Sequence, residues 1–153
     1  MRFRAVIIDD EPSVRQSLEY LCARRGYEVL AFPDPGLCPL YVSPPCPCPR
    51  GIACADLLLV DQYMLEVDGL DFVAGLRAKG CAGLQIAAIS GAWPPAARAR
   101  AVGLSCRLLR KPFELPELFA WFDSVEAQVD PRRLLLDWPN SGGRTSFGPA
   151  APQ

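Results

Sequence analysis

Asp9, Asp10 and Asp61, the hydroxyl of Ser90 and the amine of Lys111 are side chains that handle phosphate when they meet, and each follows a short apolar run. Val6-Ile7-Ile8 runs into Asp9-Asp10-Glu11, and Leu57-Leu58-Leu59-Val60 runs into Asp61. Ile86-Ala87-Ala88-Ile89 ends in Ser90, and Leu108-Leu109 ends in Arg110-Lys111. Clustered carboxylates repel, so at neutral pH one takes up a proton or a cation fills the site. A hard divalent ion suits such a cluster, and Mg²⁺ prefers one or two carboxylates, waters and a phosphate oxygen. A carboxylate can also attack phosphorus to give an aspartyl phosphate, which makes Asp61 the candidate nucleophile. A cation screens that attack, a lysine binds another phosphoryl oxygen, and a neighbouring hydroxyl donates to a third.

These residues can meet only if the apolar runs are strands of one sheet. Four apolar residues in a row before Asp61 read as a strand buried on both faces, as a parallel sheet requires. In open α/β sheets, ligands bind outside the carboxyl ends of the strands, which is where all five residues would fall. Phe3–Ile8 is the first expected strand. Pro12 opens a helix with Val14, Leu18, Leu21 and Cys22 on one face, and Gly26 closes it. Tyr27–Phe32 reads as the second strand, Asp56–Val60 the third, Leu84–Ile89 the fourth and Cys106–Leu109 the fifth. Helices are expected over Gly69–Lys79, with Leu70, Val73 and Leu76 inward, and over Ala96–Val102, with little apolar anchoring. Leu115, Leu118, Phe119, Phe122 and Val125 mark the last helix as amphipathic, with Phe119 and Phe122 in the core and Trp121 off the stripe and exposed.

Residues 33–55 break this rhythm. Pro33, Pro35, Pro39, Pro44, Pro45, Pro47 and Pro49 stand where a second crossover helix belongs, and each interior proline costs a helix about 3 kcal/mol. A short helical turn between Gly36 and Val42 followed by an extended, polyproline-like loop is expected. The fold is therefore α/β, a doubly wound five-stranded parallel sheet whose second crossover helix is degraded by a proline-rich loop. The domain spans 1–127, and 128–153 is a proline- and glycine-rich tail that could dock through Leu134-Leu135-Leu136 and Trp138.

At 153 residues the chain has the length of one domain, with half its residues apolar and 22% charged. Sixteen basic against 17 acidic residues give a net charge of −1, unlike the basic footprint of a nucleic-acid or membrane-surface protein. No run approaches the roughly 18 apolar residues of a membrane helix, and the N-terminus lacks a signal-peptide pattern, so a cytoplasmic location is the expectation. Seven cysteines at irregular spacing (22, 38, 46, 48, 54, 81 and 106) make a poor disulfide framework. Cys22, Cys81 and Cys106 read as small core or near-surface residues. Cys46-Pro47-Cys48 lacks the two-to-four-residue gap of a zinc site. The absence of histidine excludes Ser-His-Asp hydrolysis, Cys-His chemistry, His-ligated zinc and a histidine phosphorelay within the chain.

In strand order and motif order, residues 3–127 resemble the receiver domain of two-component response regulators, a CheY-like, flavodoxin-like (βα)5 fold. Ile8-Asp9-Asp10-Glu11 resembles its acidic cluster, and Val60-Asp61-Gln62-Tyr63-Met64 with Asp68-Gly69 its phosphoacceptor loop. Ser90-Gly91-Ala92 resembles its switch hydroxyl and small neighbour, and Lys111-Pro112-Phe113 its lysine–proline signature. The resemblance implies that Asp61 accepts phosphate from a sensor histidine kinase or a phosphotransfer protein. It also implies that Asp10 and Asp61 ligate Mg²⁺ directly, Asp9 through water, with the Tyr63 backbone carbonyl completing the site, and that Lys111–Pro112 is a cis peptide. Two positions depart from the family pattern: Leu65 replaces the proline of the acceptor loop, and Leu108 the aromatic residue that swings inward when the hydroxyl moves.

The expectation is thus a stand-alone receiver, a phosphorylation switch that acts on an unknown downstream protein through protein–protein contacts. It is not a conventional enzyme, though it assists its own phosphorylation and dephosphorylation, and it engages neither nucleic acid directly nor a membrane. A homodimer stays open. The alternative is a degenerate receiver serving as a constitutive binding module, with a metal or redox role for the cysteine-bearing loop. An aspartyl phosphatase would need a paired Asp-x-Asp at the acceptor strand, and a dinucleotide enzyme a glycine-rich first turn; the chain has neither.

Overall fold

The structure, a computed structural model, describes residues 2–38, 40, 51–81 and 83–136. Five parallel strands form the main sheet: β1 (Arg4–Ile8), β2 (Glu28–Phe32), β4 (Leu57–Asp61), β5 (Gln85–Ser90) and β6 (Cys106–Arg110). Their spatial order is β2-β1-β4-β5-β6. The order reverses between β1 and β4, the topological switch point at which such sheets bind ligands. The register brings Ile8 opposite Val60 and Asp61 opposite Ile89, so Asp9, Asp61 and Ser90 all emerge at one edge.

Helices α1 (Pro12–Arg24), α2 (Gly69–Ala78), α3 (Pro95–Gly103) and α4 (Leu115–Gln128) cover the sheet. Alternation along each strand sorts the core into two layers. Val6, Ile8, Leu58, Val60, Ile86 and Ala88 face α2 and α3. Ala5, Ile7, Leu57, Leu59, Ala87 and Ile89 face α1 and α4. Both faces are covered, which is why β1 and β4 read as unbroken apolar runs. Leu18 and Cys22 of α1, and Leu70, Val73 and Leu76 of α2, point inward as their spacing requires. Ala101 is the sole buried residue of α3, in keeping with its weak apolar face.

Helix α4 corrects two expectations, an exposed Trp121 and a core Phe119. Trp121 is buried, and the inward stripe is Leu118, Trp121, Phe122 and Val125, at i, i+3, i+4 and i+7. Leu115 and Phe119 lie at its exposed margin. The stripe is turned toward Trp121 because Phe122 packs edge-on against the buried Tyr27, and Trp121 tilts against Phe122. Arg25, at the end of α1, bonds Glu126 and Asp123 and lies over the Phe122 ring, and the Tyr27 hydroxyl also bonds Glu126.

At the start of the proline-rich segment, Pro35–Leu37 forms a single 3-10 turn, capped by Asp34 Oδ1, which accepts from the Gly36 N–H at 2.7 Å. Cys38 and Leu40 are buried and join the core layer under α2. The expectation of an extended, polyproline-like loop beyond them, with Cys46 and Cys48, falls on residues outside those described, as does Trp138. Cys22, Cys81 and Cys106 are buried, and burial pushes the Cys22 thiol up to about 12 and the Cys106 thiol up to about 11.

A second, two-stranded parallel sheet, absent from the pattern-based expectation, joins β3 (Ile52–Ala53) to β7 (Leu134–Leu135). The segment after α4 is held here by its backbone and by Arg133 rather than by its leucines, since Leu134 and Leu136 are exposed. Arg133 makes a two-pronged ion pair with the buried Asp56, 2.5 Å on each arm, and the Arg4 N–H donates to the same carboxylate at 2.8 Å. The Arg4 guanidinium donates to the Leu136 carbonyl at 2.6 Å, fastening the segment to β1.

Candidate functional site

The structure brings together Asp9, Asp10, Asp61, Ser90 and Lys111. Asp9 and Asp61 are 1% and 5% exposed, so both carboxyl groups have been taken largely out of water. Asp10 remains exposed, and one oxygen from each of the three acids lies within 4.8 Å of the others. Lys111 Nζ donates to Asp61 Oδ1 at 3.2 Å and lies 3.4 Å from Asp9 Oδ2 and 3.9 Å from Glu11 Oε2. One ammonium thus serves two buried carboxylates, and the Asp9 contact is an ion pair without hydrogen-bond geometry. Asp9 Oδ1 accepts the Glu11 N–H at 2.9 Å, whereas the buried Asp9 Oδ2 has no hydrogen-bond partner among the described residues. Arg15 donates to the Asp9 carbonyl at 2.7 Å, fixing the turn from β1 into α1.

The electrostatics follow. Burial, then repulsion from Asp9, raises the Asp61 carboxyl from 3.8 to about 6, against the pull of Lys111 and of the Tyr63 N–H. Burial likewise raises Asp9, opposed by the Glu11 N–H and Lys111. For Lys111 burial acts downward, but Asp9 and Asp61 outweigh it and hold the ammonium above its ordinary value. The site is short of positive charge. An orphaned buried oxygen, three convergent carboxylates and hard oxygen donors fit a small divalent cation such as Mg²⁺, which would satisfy Asp9 Oδ2 and relieve the repulsion at Asp61.

Ser90 is buried at the end of β5, with its hydroxyl turned into its own loop. Oγ donates to the Ala92 carbonyl at 3.0 Å and receives the Ala92 N–H at 3.3 Å. The Lys111 N–H donates to the Ser90 carbonyl at 2.9 Å, locking the ends of β5 and β6 together, and Lys111–Pro112 is cis. Tyr63 and Leu65, in the loop after Asp61, are exposed, and Leu108 is half-buried beneath α3.

Three residues have roles here that pattern reading did not assign. Gln62 is buried; its N–H donates to Ile89, its carbonyl accepts from Gly69, and its Oε1 accepts from Leu70, each at 2.9 Å. Asp68, the local N-cap of α2, makes no side-chain cap bond, and Gln62, just past the end of β4, caps the helix instead. Gly69 is needed for space: a Cβ there would overlap the Asp61 carbonyl oxygen. The Asp68-Gly69 pair in the sequence was the available clue to that contact. Trp93 is buried in the loop after Ser90, and its indole N–H donates to the Leu109 carbonyl at 2.9 Å. Neither Gln62 nor Trp93 falls on any periodic pattern.

A five-stranded doubly wound sheet with paired acids at its switch point and a lysine on the edge strand defines a receiver-type fold. The profile of the response regulator receiver domain matches residues 5–123, and the chain belongs to that family. Among solved structures, the chemotaxis protein CheY4 of Vibrio cholerae is similar at TM-score 0.65 and 21% identity, covering 82% of this chain and 99% of that one. A CheY-like receiver domain protein of Methanospirillum hungatei JF-1 superposes at TM-score 0.69 with 17% identity, over 84% and 97% of the two chains. A response regulator receiver protein of Pseudomonas putida gives 0.67 and 21%, over 81% and 98%. At these identities the likeness is one of fold. A comparison with curated protein sequences gave no match. Among the described residues, no helix is long and apolar enough to cross a membrane.

Proposed function

We propose that Asp61 is the phosphoacceptor of a two-component phosphorelay and that the chain signals through contacts that depend on its phosphorylation. The observation that carries this reading is the pairing of a buried, charge-stressed Asp61 with Lys111 beside Asp9 and Asp10. An Asp61 carboxylate oxygen attacks phosphorus, the bond from phosphorus to its donor nitrogen breaks, and the electron pair leaves with the donor imidazole. The product is an acyl phosphate on Asp61. Lys111, already at 3.2 Å, holds a phosphoryl oxygen through that transfer. Ser90 turns from Ala92 to donate to another. Asp9, Asp10 and Asp61, with the Tyr63 backbone carbonyl, would hold Mg²⁺. When bound, that ion screens charge between carboxylate and phosphoryl group.

The donor is a sensor histidine kinase or a phosphotransfer protein, because this chain has no histidine of its own. The chain assists its own phosphorylation and dephosphorylation and catalyses no separate reaction, and it works in the cytoplasm on a downstream protein. The test is intact mass after incubation with acetyl phosphate, with Mg²⁺ or with EDTA, for wild type and Asp61→Asn. A single phosphoryl adduct that needs both Mg²⁺ and Asp61 is expected. No adduct from acetyl phosphate, and none from a panel of phosphorylated histidine donors, would refute the proposal and favour a constitutive binding module.

A further inference from the structure

We propose that Trp93 transmits the movement of Ser90 to β6, the strand that leads into Lys111, and that its indole reports the phosphorylated state. This rests on Asp61 being the phosphoacceptor. Ser90 has one hydroxyl proton, and the structure commits it to the Ala92 carbonyl. Donating to a phosphoryl oxygen therefore means releasing Ala92, whose N–H loses its Oγ acceptor in the same movement.

Ala92 cannot move alone. Its neighbour Trp93 is 7% exposed and packed in the core layer that also takes in Leu108 and Ala97. The ring is pinned by its bond to the Leu109 carbonyl, and its backbone carbonyl accepts from Arg98 at 3.0 Å. Leu109 stands two residues before Lys111, whose N–H returns to the Ser90 carbonyl. Ser90, Ala92, Trp93, Leu109 and Lys111 thus form a closed circuit of bonds between two groups that both address the phosphoryl oxygens. Interiors are packed too tightly to absorb a displaced loop in place, so the indole shifts or draws β6 with it. Leu108, beside the carbonyl that the indole holds, has no ring of its own to swing, and Trp93 is the aromatic residue that links this loop to β6.

The experiment is tryptophan emission of the full chain with acetyl phosphate and Mg²⁺, the adduct being measured by intact mass on the same samples. Phosphorylation is expected to shift the emission to the red and to lower its intensity as the indole loses its buried acceptor. Trp93→Phe keeps a ring but no N–H, and Ser90→Ala has no hydroxyl to turn; at equal adduct occupancy both are expected to lose the shift. Should Trp93→Phe fold poorly by circular dichroism, a chain with Trp121→Phe and Trp138→Phe leaves Trp93 as its one indole and is expected to retain the full shift. An adduct without any emission change, or the same change in Trp93→Phe, overturns the role of Trp93 and leaves the phosphoacceptor reading intact. Absence of an adduct both from acetyl phosphate and from the phosphorylated histidine donors overturns both.

Discussion

Replacing Asp61 by Asn should make the metal-free protein more stable at neutral pH, because the folded state holds that carboxylate at a cost. Folding raises the Asp61 carboxyl from 3.8 to about 6. A group whose pKa is higher in the folded state favours folding while it is protonated, and that contribution is lost as pH rises from about 4 to about 6. At about 1.36 kcal/mol per pH unit, the ionised carboxylate costs the fold about 3 kcal/mol at neutral pH. The side chain is 5% exposed, so little solvent screening lowers that figure. Asn has the same shape and no charge to bury. In urea titrations at about pH 7.5 in EDTA, an m-value of about 1–3 kcal/mol per molar turns this gap into a midpoint shift of about 1–3 M. At about pH 4 the advantage should shrink to about half a kcal/mol, since Asp61 is then protonated in the folded state and partly so in the unfolded one. Mg²⁺ should stabilise wild type more than the variant, because the variant lacks one of the three carboxylates. An Asn variant no more stable than wild type at about pH 7.5 in EDTA would refute the reasoning, as would an advantage that does not change with pH.

Arg133→Ala should cost about 3–5 kcal/mol in the same titration by leaving the buried Asp56 carboxylate unpaired, and the double change Arg133→Met with Asp56→Asn should recover much of that loss. Gly69→Ala drives a methyl group against the Asp61 carbonyl, so a loss of about 1–3 kcal/mol is expected, with slower adduct formation from acetyl phosphate because the acceptor loop must move. Cys22, fully buried with its thiol pushed up to about 12, should resist iodoacetamide at about pH 8 in the native protein and react on unfolding, as read by peptide mass mapping.

The parts of this molecule that could be read in advance are those in which a local pattern reports a global environment. Leu57–Val60 are apolar without interruption because helices cover both faces of the sheet, and that run located the strand that delivers Asp61. Helix α4 shows where such reading stops. Leu115, Leu118, Phe119, Trp121, Phe122 and Val125 surround so much of the helix that spacing alone cannot choose the buried side. The contact of Phe122 with Tyr27 chooses it, and Tyr27, just before β2, lies nearly a hundred residues away. Strands β3 and β7 are two residues each, with no pattern to carry, and they meet because Arg133 finds Asp56 across 77 positions. Gln62 is invisible for a different reason. Its side chain caps a helix that starts seven residues later, at a distance in sequence that no local capping pattern spans.

Asp56 and Asp61 show why burial alone does not identify a reactive carboxylate. They bracket the same strand, β4, and are 2% and 5% exposed. Asp56 is met by two arms of Arg133 and by the Arg4 N–H, so both of its oxygens are answered by this protein's own donors. Asp61 shares a single ammonium with Asp9, and in Asp9 one oxygen is left without any hydrogen bond. A carboxylate with its donors in place has nothing to gain from a cation or a phosphoryl group. One that is buried and under-paired gains from both, and Asp61 has the Lys111 ammonium at hand to receive the new charge. The N-terminal end of the sheet is thus neutralised within the fold, while the C-terminal end is left in deficit. That asymmetry within one strand explains why Asp56 holds the chain together, and it supports the proposal that Asp61 is the phosphoacceptor.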